Sequence, residues 1–221
     1  MTTQTIPVGR DVKAALRAQA AQLRAHFTEQ RTLVINIVSS PGAGKTSLLE
    51  ATARHWNGRY NIAALVGDLE TERDAKRLEP WMPVRQLTTG GACHLEVPLV
   101  RNGLEQLKAD ELEFLFIENV GNLVCPSSHD LGEHLRVVML STTEGDDKPG
   151  KYPGMFRSSH AMILSKTDLL PYVPFSPEQA AIDALRIQPQ LEILSICALT
   201  GNGIAGWCDY LVRERGRIFS S

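Results

Sequence analysis

The sequence has 221 residues, of which 43% are hydrophobic and 22% are charged, with a formal net charge of −2 at pH 7. This length suits one domain with a sizeable core, and the ordinary charged fraction excludes wholesale disorder. Such a near-neutral chain is not expected to bind nucleic acid through a general basic field. No apolar run reaches the ~18–20 residues of a membrane span, and no hydrophobic signal segment opens the chain, so we expect a cytoplasmic protein.

Helical and strand patterns alternate along the chain. Apolar residues at helical spacing predict a helix over 11–29, within an N-terminal helical extension (residues 1–30) that precedes a main domain (residues 31–221). Continuous apolar runs, typical of strands covered on both faces, predict strands over 33–38, 62–66, 113–117, 135–140, 161–164 and 191–196. Further helices are predicted over 47–55, 95–107, 177–185 and 204–215. The alternation predicts a single α/β domain with a mainly parallel sheet and helices on both faces, and the Gly-, Pro- and Asp-rich stretch 144–154 is predicted to be a loop.

The first predicted strand runs into a phosphate-binding motif. The segment SSPGAGKT matches the pattern G-x-x-x-x-G-K-S/T except that Ser39 replaces its first glycine. The glycines let backbone N–H groups approach phosphate, the lysine charge meets the β- and γ-phosphates, and the threonine hydroxyl suits Mg²⁺. The residues predicted to contact the nucleotide here are Ser39, Gly42, Ala43, Gly44, Lys45, Thr46 and Ser47. The chain is therefore predicted to be a P-loop NTPase with a negative φ at Ser39; the alternative is a glycine-rich turn without a ligand.

Two carboxylates directly follow predicted strands. Asp68 and Glu118 each stand at the carboxyl end of a strand, which is the ligand edge of a parallel sheet, and are candidates for holding Mg²⁺ directly or through water. The alternative for each is a solvated capping role. Gly121 imitates the glycine of a D-x-x-G nucleotide switch, whose N–H senses the γ-phosphate. Asp74 is the candidate for orienting the attacking water, with an ordinary surface-helix aspartate as the alternative.

Base specificity is predicted from the segment SKTD (165–168), which follows an apolar strand and is close to the guanine motif N-K-x-D, with Ser in place of Asn. A carboxylate at Asp168 accepts from N1–H and N2–H₂ of guanine, whereas adenine lacks both donors and would leave it buried and unpaired. The stem of Lys166 covers the base face. Cys197 and Ala198 stand at a second guanine element, where a backbone N–H matters. We therefore expect GTP rather than ATP.

A thiol and an imidazole are adjacent in TTGGACHLE, the least generic stretch of the chain. Cys93 and His94 can both ligate a metal if the backbone turns there, and the two preceding glycines permit that turn. Cys125, seven residues after Glu118, adds a second thiolate. Two thiolates and one imidazole suit Zn²⁺, or Ni²⁺ with a fourth ligand, and leave a position for water or a second subunit. The alternatives are buried structural cysteines and, for the further candidate ligand His129, an ordinary loop histidine.

Six segments, in this order, resemble one family: SSPGAGKTSLLE, GDLETERDA, TTGGACHLE, ENVGNLVCP, TEGDDKPGKYP and SKTDLLPY are similar to segments of the hydrogenase nickel-incorporation GTPases, the HypB family. The resemblance implies a GTPase that binds GTP and Mg²⁺, forms a homodimer with GTP and helps deliver nickel to [NiFe]-hydrogenase. It implies a nickel-accessory protein and the hydrogenase large subunit as partners, and neither nucleic acid nor a membrane. It also implies that Cys93, His94 and Cys125 form a site for Ni²⁺ or Zn²⁺ at the subunit interface, and that Lys151 reaches the nucleotide of the partner subunit.

The resemblance also defines what is not expected and what stays open. The first 30 residues contain no Cys and one His, so the tight nickel storage of some family members is not expected. We expect the γ-phosphate to act through Gly121 on the segment that ends at Cys125, with slow turnover because no arginine finger or water-positioning Gln is evident. The alternatives are a urease accessory GTPase, a P-loop ATPase or kinase, and a zinc-stabilised interaction module.

Overall fold

The computed structural model describes residues 8–68, 73–107 and 109–220, with side chains from residue 12 onward. Strands and helices alternate through this part of the chain. The strands are β1 Leu33–Ser39, β2 Ile62–Asp68, β3 Val84–Thr88, β4 Phe114–Glu118, β5 Leu135–Ser141, β6 Ala161–Ser165 and β7 Glu192–Ile196. The helices are α1 Val8–Glu29, α2 Lys45–Trp56, α3 Arg73–Leu78, α4 Val97–Gln106, α5 Lys148–Lys151, α6 Pro153–Arg157, α7 Pro177–Ile187 and α8 Ile204–Phe219, with short 3-10 helices at Cys125–Ser128 and Thr167–Tyr172.

The strands form one sheet in the order β3-β2-β4-β1-β5-β6-β7, and each neighbouring pair is parallel. The common direction brings the carboxyl ends of these strands to one edge, where Ser39, Asp68, Glu118 and Ser165 each end a strand. The predicted α/β fold with a mainly parallel sheet is confirmed. The edge strand β3 escaped prediction because Leu87 is its one buried residue, so no apolar run marks it.

Helices cover both faces of the sheet, and the side chains of β1 alternate between them. Leu33, Ile35 and Ile37 pack in a cluster with residues of α2 and α8. Val34 and Val38 belong to clusters on the opposite face, which include residues of α1, α4, α6 and α7. This two-sided burial explains why the strand reads as a continuous apolar run. Among the described residues, no helix combines the length and apolarity that crossing a bilayer requires.

The structure bears on two further predictions, the N-terminal extension and the loop over 144–154. α1 buries Leu23 and Phe27 in the same cluster as Val34, so it packs on the sheet core, while its assignment to a separate extension stays a prediction. The prediction of a loop over 144–154 is wrong at its C-terminal side, because α5 and the start of α6 lie there. Pro149 and Pro153 stand in the first turn of these two helices, where a missing N–H costs nothing.

A chain of buried polar side chains links the end of β4, through the middle of β1, to the start of β5. Asn36 Oδ1 accepts from Asn119 Nδ2 at 3.2 Å, and Asn36 Nδ2 donates to Glu133 Oε1 at 3.2 Å. Glu133 Oε1 also accepts from Nη2 and Nε of Arg136, at 2.6 and 3.0 Å. All four residues are at most 7% exposed. Each charge is therefore buried together with its partner, which a folded core requires.

This buried network ends at the two loops that carry the predicted metal ligands. Arg136 donates from Nη1 to Ser127 O at 3.1 Å and from Nη2 to His129 O at 2.6 Å, next to the 3-10 helix that begins at Cys125. At the other end, Asn119 Oδ1 accepts from the backbone N–H of Leu95 at 3.4 Å, just after His94. The network therefore fixes both loops to the same sheet.

We expect Arg136→Met to lower the free energy of unfolding by about 3–5 kcal/mol, because it leaves the buried Glu133 charge without its partner. The double variant Glu133→Gln/Arg136→Met should be more stable than the single variant, since glutamine is neutral and keeps the acceptor oxygen. Urea denaturation of the three proteins measures both effects. A double variant no more stable than Arg136→Met would contradict the assignment of the loss to an unpaired buried charge.

Candidate nucleotide and metal sites

The phosphate loop joins the end of β1 to the start of α2. Gly42 and Gly44 have φ of +74° and +99°, in the left-handed region that glycine adopts without strain. No atom lies within 4 Å of the position that a Cβ would take on either residue, so the space beside both glycines is open. Ser39 ends β1 and is absent from the described residues with positive φ. Its φ is thus negative, as predicted, and the serine introduces no backbone strain into the motif.

Lys45 folds back onto the strand that precedes the loop. Its Nζ donates to Ser39 Oγ at 3.1 Å, and the residue is 8% exposed. Burial lowers the pKa of Lys45, while nearby carboxylates favour its charged form. These carboxylates belong to Glu118, Asp74, Glu144 and Asp68. The structure therefore brings the three acidic residues predicted for this site, and one that was not predicted, around a single buried cation.

Glu118 meets the phosphate loop at the start of α2. Its Oε1 accepts from Thr46 Oγ1 at 2.9 Å, and the residue is 4% exposed. Its Oε2 is buried without a hydrogen-bond partner among the described residues. Burial raises the pKa of Glu118 to about 7, although Lys45 and Thr46 both oppose the shift. A buried carboxylate oxygen without a partner is costly, so the arrangement suits a cation beside Thr46.

The two predicted aspartates lie on either side of a segment outside the described residues. Asp68 ends β2 and is partly buried. Residues 69–72, which belong to the motif GDLETERDA, lie outside the described part of the chain. Asp74 stands in the first turn of α3, with its Oδ1 at 3.9 Å from Nη1 of Arg77. The charges of both aspartates favour the charged form of Lys45, so both carboxylates lie near its ammonium group.

Arg77 is a residue near the nucleotide site that the sequence did not reveal. Its Nη2 donates to Ser47 Oγ at 3.1 Å and to Glu50 Oε2 at 2.9 Å, which ties α3 to the start of α2. Arg77 also lines the cavity beside the phosphate loop. No motif surrounds it, and its six-residue helix has too short a pattern to be predicted.

A cavity of about 500 Å³ lies between the phosphate loop and the carboxyl ends of β6 and β7. The predicted base-contacting residues on its wall include Lys166, Asp168, Cys197 and Ala198. Cys197 Sγ donates to Asp168 Oδ1 at 3.0 Å, which holds the carboxylate in place. Ser165 Oγ donates to the carbonyl of Ala43 at 2.7 Å. The serine that departs from the guanine motif therefore links the base side of the cavity to the phosphate loop.

Gly121 follows β4 and lies against the phosphate loop. A Cβ on Gly121 would stand 2.8 Å from Pro41 Cα and 2.9 Å from Pro41 N, so no side chain fits there. The next residue, Asn122, donates from Nδ2 to Cys93 O at 3.4 Å and accepts at Oδ1 from Val124 N at 2.7 Å. A contact with the phosphate loop is thus continued by hydrogen bonds to the segments that carry Cys93 and Cys125.

The structure brings the three predicted metal ligands together. Cys93 Sγ and Cys125 Sγ are 2.9 Å apart as free thiols, and Cys93 Sγ is 3.7 Å from His94 Nδ1. The hydrogen bond that Cys93 donates to Cys125 raises the pKa of the Cys93 thiol. The ligand atoms of all three residues lie within 4.8 Å of one another. Two thiols and one imidazole can therefore meet one metal ion after thiol deprotonation.

Of two other predicted residues, one lies next to the metal-ligand cluster and the other lies away from both candidate sites. His129 stands beside the thiols, with its ring centroid 3.8 Å from that of His94. Lys151 is exposed on α5, with its Nζ 2.6 Å from Asp147 Oδ2, and it does not line the base cavity. The ion pair with Asp147 raises the pKa of Lys151. Cys208, by contrast, is buried in the core cluster that contains α8, and burial raises its pKa to about 12.

Known proteins match this chain over most of its length. The family described as "CobW/HypB/UreG, nucleotide-binding domain" matches residues 33–195. The hydrogenase maturation factor HypB of Azotobacter vinelandii is 42% identical over 215 residues, which cover 97% of this chain and 71% of that protein. The HypB of Escherichia coli K12 is 44% identical over 197 residues, which cover 89% of this chain and 68% of that protein.

Solved structures agree with the sequence matches. A crystal structure described as HypB from Helicobacter pylori in complex with nickel has a TM-score of 0.88 and 35% identity, covering 93% of this chain and 97% of that one. HypB from Archaeoglobus fulgidus has a TM-score of 0.85 and 34% identity, covering 91% and 99%. The signal recognition particle receptor FtsY from Elizabethkingia anophelis, with GDP, has a TM-score of 0.51 and 14% identity over 74% of this chain and 56% of that one, a likeness of fold alone. The chain therefore belongs to the HypB family, within the CobW/HypB/UreG nucleotide-binding proteins.

Proposed function

We propose that this chain is a cytoplasmic GTPase that carries nickel for the maturation of [NiFe]-hydrogenase and forms a homodimer when it binds GTP. The relatives that carry the name hydrogenase maturation factor, and the similar structure described with nickel, support this function. The single observation that carries it is the packing of Gly121 on Pro41, four residues before Cys125. This contact connects the phosphate loop to the segment that leads to the cluster of Cys93, His94 and Cys125.

GTP would place its phosphates along the loop from Ser39 to Ser47 and its base in the adjoining cavity. Backbone N–H groups of the loop and of the first turn of α2 would hold the phosphate oxygens. Lys45 would exchange its hydrogen bond with Ser39 for the β- and γ-phosphates. Asp168 would accept from N1–H and N2–H₂ of guanine, while Cys197 orients the carboxylate through its other oxygen. Lys166 and the backbone of Ala198 would complete the base contacts.

Mg²⁺ would be held by Thr46 and Glu118, with Asp68 acting through water. The unpartnered Oε2 of Glu118 and the raised pKa of its carboxyl fit this ion, because a nearby divalent charge favours the ionised carboxylate. When bound, the ion neutralises charge that develops on the transferred phosphoryl group.

Hydrolysis would depend on positioned charges. Lys45 stabilises the phosphate oxygens, Asp74 orients the water and the N–H of Gly121 senses the γ-phosphate. Lys151, exposed on α5, would cross to the nucleotide of the partner subunit in the dimer. We expect slow turnover in the absence of an arginine finger, whose contribution in other GTPases is about 10³–10⁵-fold.

Nickel, the cargo, would bind to Cys93, His94 and Cys125 as two thiolates and an imidazole. Zn²⁺ suits the same donor set and would compete with Ni²⁺. Three ligands from one chain leave a position for water or for the partner subunit. In the dimer the metal would lie at the interface, and the acceptors after hydrolysis would be a nickel-accessory protein and the hydrogenase large subunit.

The nucleotide and the metal are coupled through one short segment in this proposal. A γ-phosphate that attracts the N–H of Gly121 would shift Gly121 against Pro41, and Asn122 would pass the shift to the carbonyl of Cys93. Cys125 follows on the same segment. The two nucleotide states therefore differ in how the thiols are presented to the metal, which is the differential interaction that a switch needs.

We expect Ni²⁺ affinity to differ by about 5- to 150-fold between the complexes with GDP and with a non-hydrolysable GTP analogue, the usual range of coupling between two sites. Isothermal titration of each complex with Ni²⁺ measures the ratio. Gly121→Ala should bring the ratio close to one, because a Cβ there displaces Pro41. Gly216→Ala, at an exposed open position of α8, is the control and should keep the ratio. Equal affinities in the two wild-type complexes would refute the coupling.

We expect Asp168→Asn to lower GTP affinity by at least about a hundredfold, because the asparagine amide replaces an acceptor that guanine N–H donors require. Xanthosine triphosphate, which carries a carbonyl at C2, should bind the variant more tightly than it binds the wild type. Competition against a fluorescent nucleotide measures both. A kinase or ATPase would keep its nucleotide choice in this variant, so an unchanged preference sinks the guanine assignment.

The pH dependence of stability tests the environment of Glu118. Burial raises its pKa from 4.5 to about 7, so between these values the folded state keeps a proton that the unfolded chain releases. Through this group, wild-type stability falls as pH rises through that window and then stays level. We expect Glu118→Gln to become more stable relative to wild type from pH 5 to pH 7, about the limits of the window, in urea denaturation without nucleotide or divalent ions. Glu79→Gln, at an exposed site, should show a constant difference; a constant difference for Glu118→Gln would count against its burial.

A further inference from the structure

Three side chains beside the thiols form a second group with metal-ligand chemistry. His94, Glu96 and His129 place their candidate ligand atoms within 4.8 Å of one another. The imidazole rings of His94 and His129 have centroids 3.8 Å apart, and His94 Nε2 is 3.5 Å from Glu96 Oε1. Two imidazoles and one carboxylate thus converge next to the thiol pair.

The hydrogen bond of His129 determines which of its nitrogens is available. His129 Nδ1 is 2.7 Å from the carbonyl oxygen of Cys125. A carbonyl accepts and cannot donate, so Nδ1 carries the proton and Nε2 of the neutral ring keeps its lone pair. A ligating histidine commonly donates its other N–H to a backbone carbonyl in this way, which fixes the orientation of the ring.

His94 lies between the two groups of ligands. Its Nδ1 is 3.7 Å from Cys93 Sγ, and its Nε2 is 3.5 Å from Glu96 Oε1. The Nδ1 edge of the His94 ring is therefore next to a thiol, and its Nε2 edge is next to a carboxylate. A neutral imidazole has one nitrogen with a lone pair, so His94 can serve one of the two groups at a time.

We propose that His94, Glu96 and His129 form a second position for a divalent transition-metal ion such as Ni²⁺ or Zn²⁺, adjacent to the thiol position and sharing His94 with it. Ligand atoms at about 2.0–2.2 Å from a metal lie at most about 4.4 Å apart, so side-chain rotations that open the contact between the two imidazole rings bring these three into range. The Glu96 side chain is 51% exposed and can make that adjustment. Two histidines and a glutamate also leave a coordination position for water.

This position goes beyond the proposed nickel switch, because it requires neither thiol and no nucleotide. A cavity of about 160 Å³, whose wall includes Leu16, Glu96 and His129, borders it and gives a route from solvent. Because His94 belongs to both groups, the two positions are alternatives for one ion. An ion that leaves the thiols can therefore pass to oxygen and nitrogen ligands that share His94 with them.

The test uses the full chain with both thiols removed, Cys93→Ser/Cys125→Ser, titrated with Ni²⁺ alone by calorimetry. We expect one Ni²⁺ per chain, without the near-ultraviolet absorption of a thiolate–nickel bond. His129→Gln, which can still donate to the carbonyl of Cys125, and Glu96→Gln, each added to this background, should weaken binding by at least about tenfold, since even the loss of an outer partner costs about 10–100-fold. The matched controls are His55→Gln and Glu105→Gln, both exposed and elsewhere on the surface, which should leave the affinity within about twofold of the background.

Absence of Ni²⁺ binding in the thiol-free chain overturns the proposal, as does binding that either His129→Gln or Glu96→Gln leaves unchanged. Thermal melting of each variant checks the fold, and the exposure of Glu96 keeps that variant informative if His129→Gln melts early. Failure of the nucleotide coupling described above leaves this result unaffected, because no nucleotide is present in the titration.

Discussion

The close approach of Gly121 to Pro41 is the constraint on which both candidate sites depend. β4 lies between β1 and β2, so the chain that leaves β4 after Glu118 passes directly over the phosphate loop. A Cβ on Gly121 would overlap the backbone of Pro41, so the two segments are in contact with no space between them. Close-packed backbones transmit displacement because neither can move alone. The proposed link between nucleotide and metal follows from this packing.

In the proposed metal carrier, the buried polar network and the exposed candidate ligands would meet two different requirements. Asn119 and Arg136 are almost fully buried, and their hydrogen bonds hold the backbone that follows each thiol. Cys93 and Glu96, which offer ligand atoms, are accessible to solvent. A rigid backbone keeps the donor atoms close together, while accessible side chains allow a partner protein to reach the ion. In this proposal, the positioning of the ligands and the release of the ion therefore depend on different parts of the molecule.

The sequence predicts the sheet and the phosphate loop because both have local signals: strands buried on two faces and a contiguous motif. It does not predict which hydrogen bonds join residues that are distant in the sequence. Ser165 was a departure from the guanine motif, yet its hydroxyl bonds the carbonyl of Ala43, 122 residues earlier. Strand β3 was missed because it has one buried residue and no apolar run. Helices α5 and α6 were missed because their prolines suggested a loop, although the first turn of a helix accepts proline. The spacing of His129 to Cys125 made it a candidate ligand, but its contact with His94 depends on loop conformation and could not be settled from sequence.

The order of strands also constrains how the molecule is made. Within the described sheet, β1 pairs with β4 and β5, and β2 pairs with β3 and β4, so the two earliest strands meet through a later one. On the ribosome, β1 has no neighbour to pair with until β4 has emerged, and such distant parallel pairings form slowly. The arrival of β4 also delivers the segment that leads to Cys125. Emergence of β4 and the segment after it therefore brings the phosphate loop and Cys125 into place together, before β6 and β7 add the base side of the cavity.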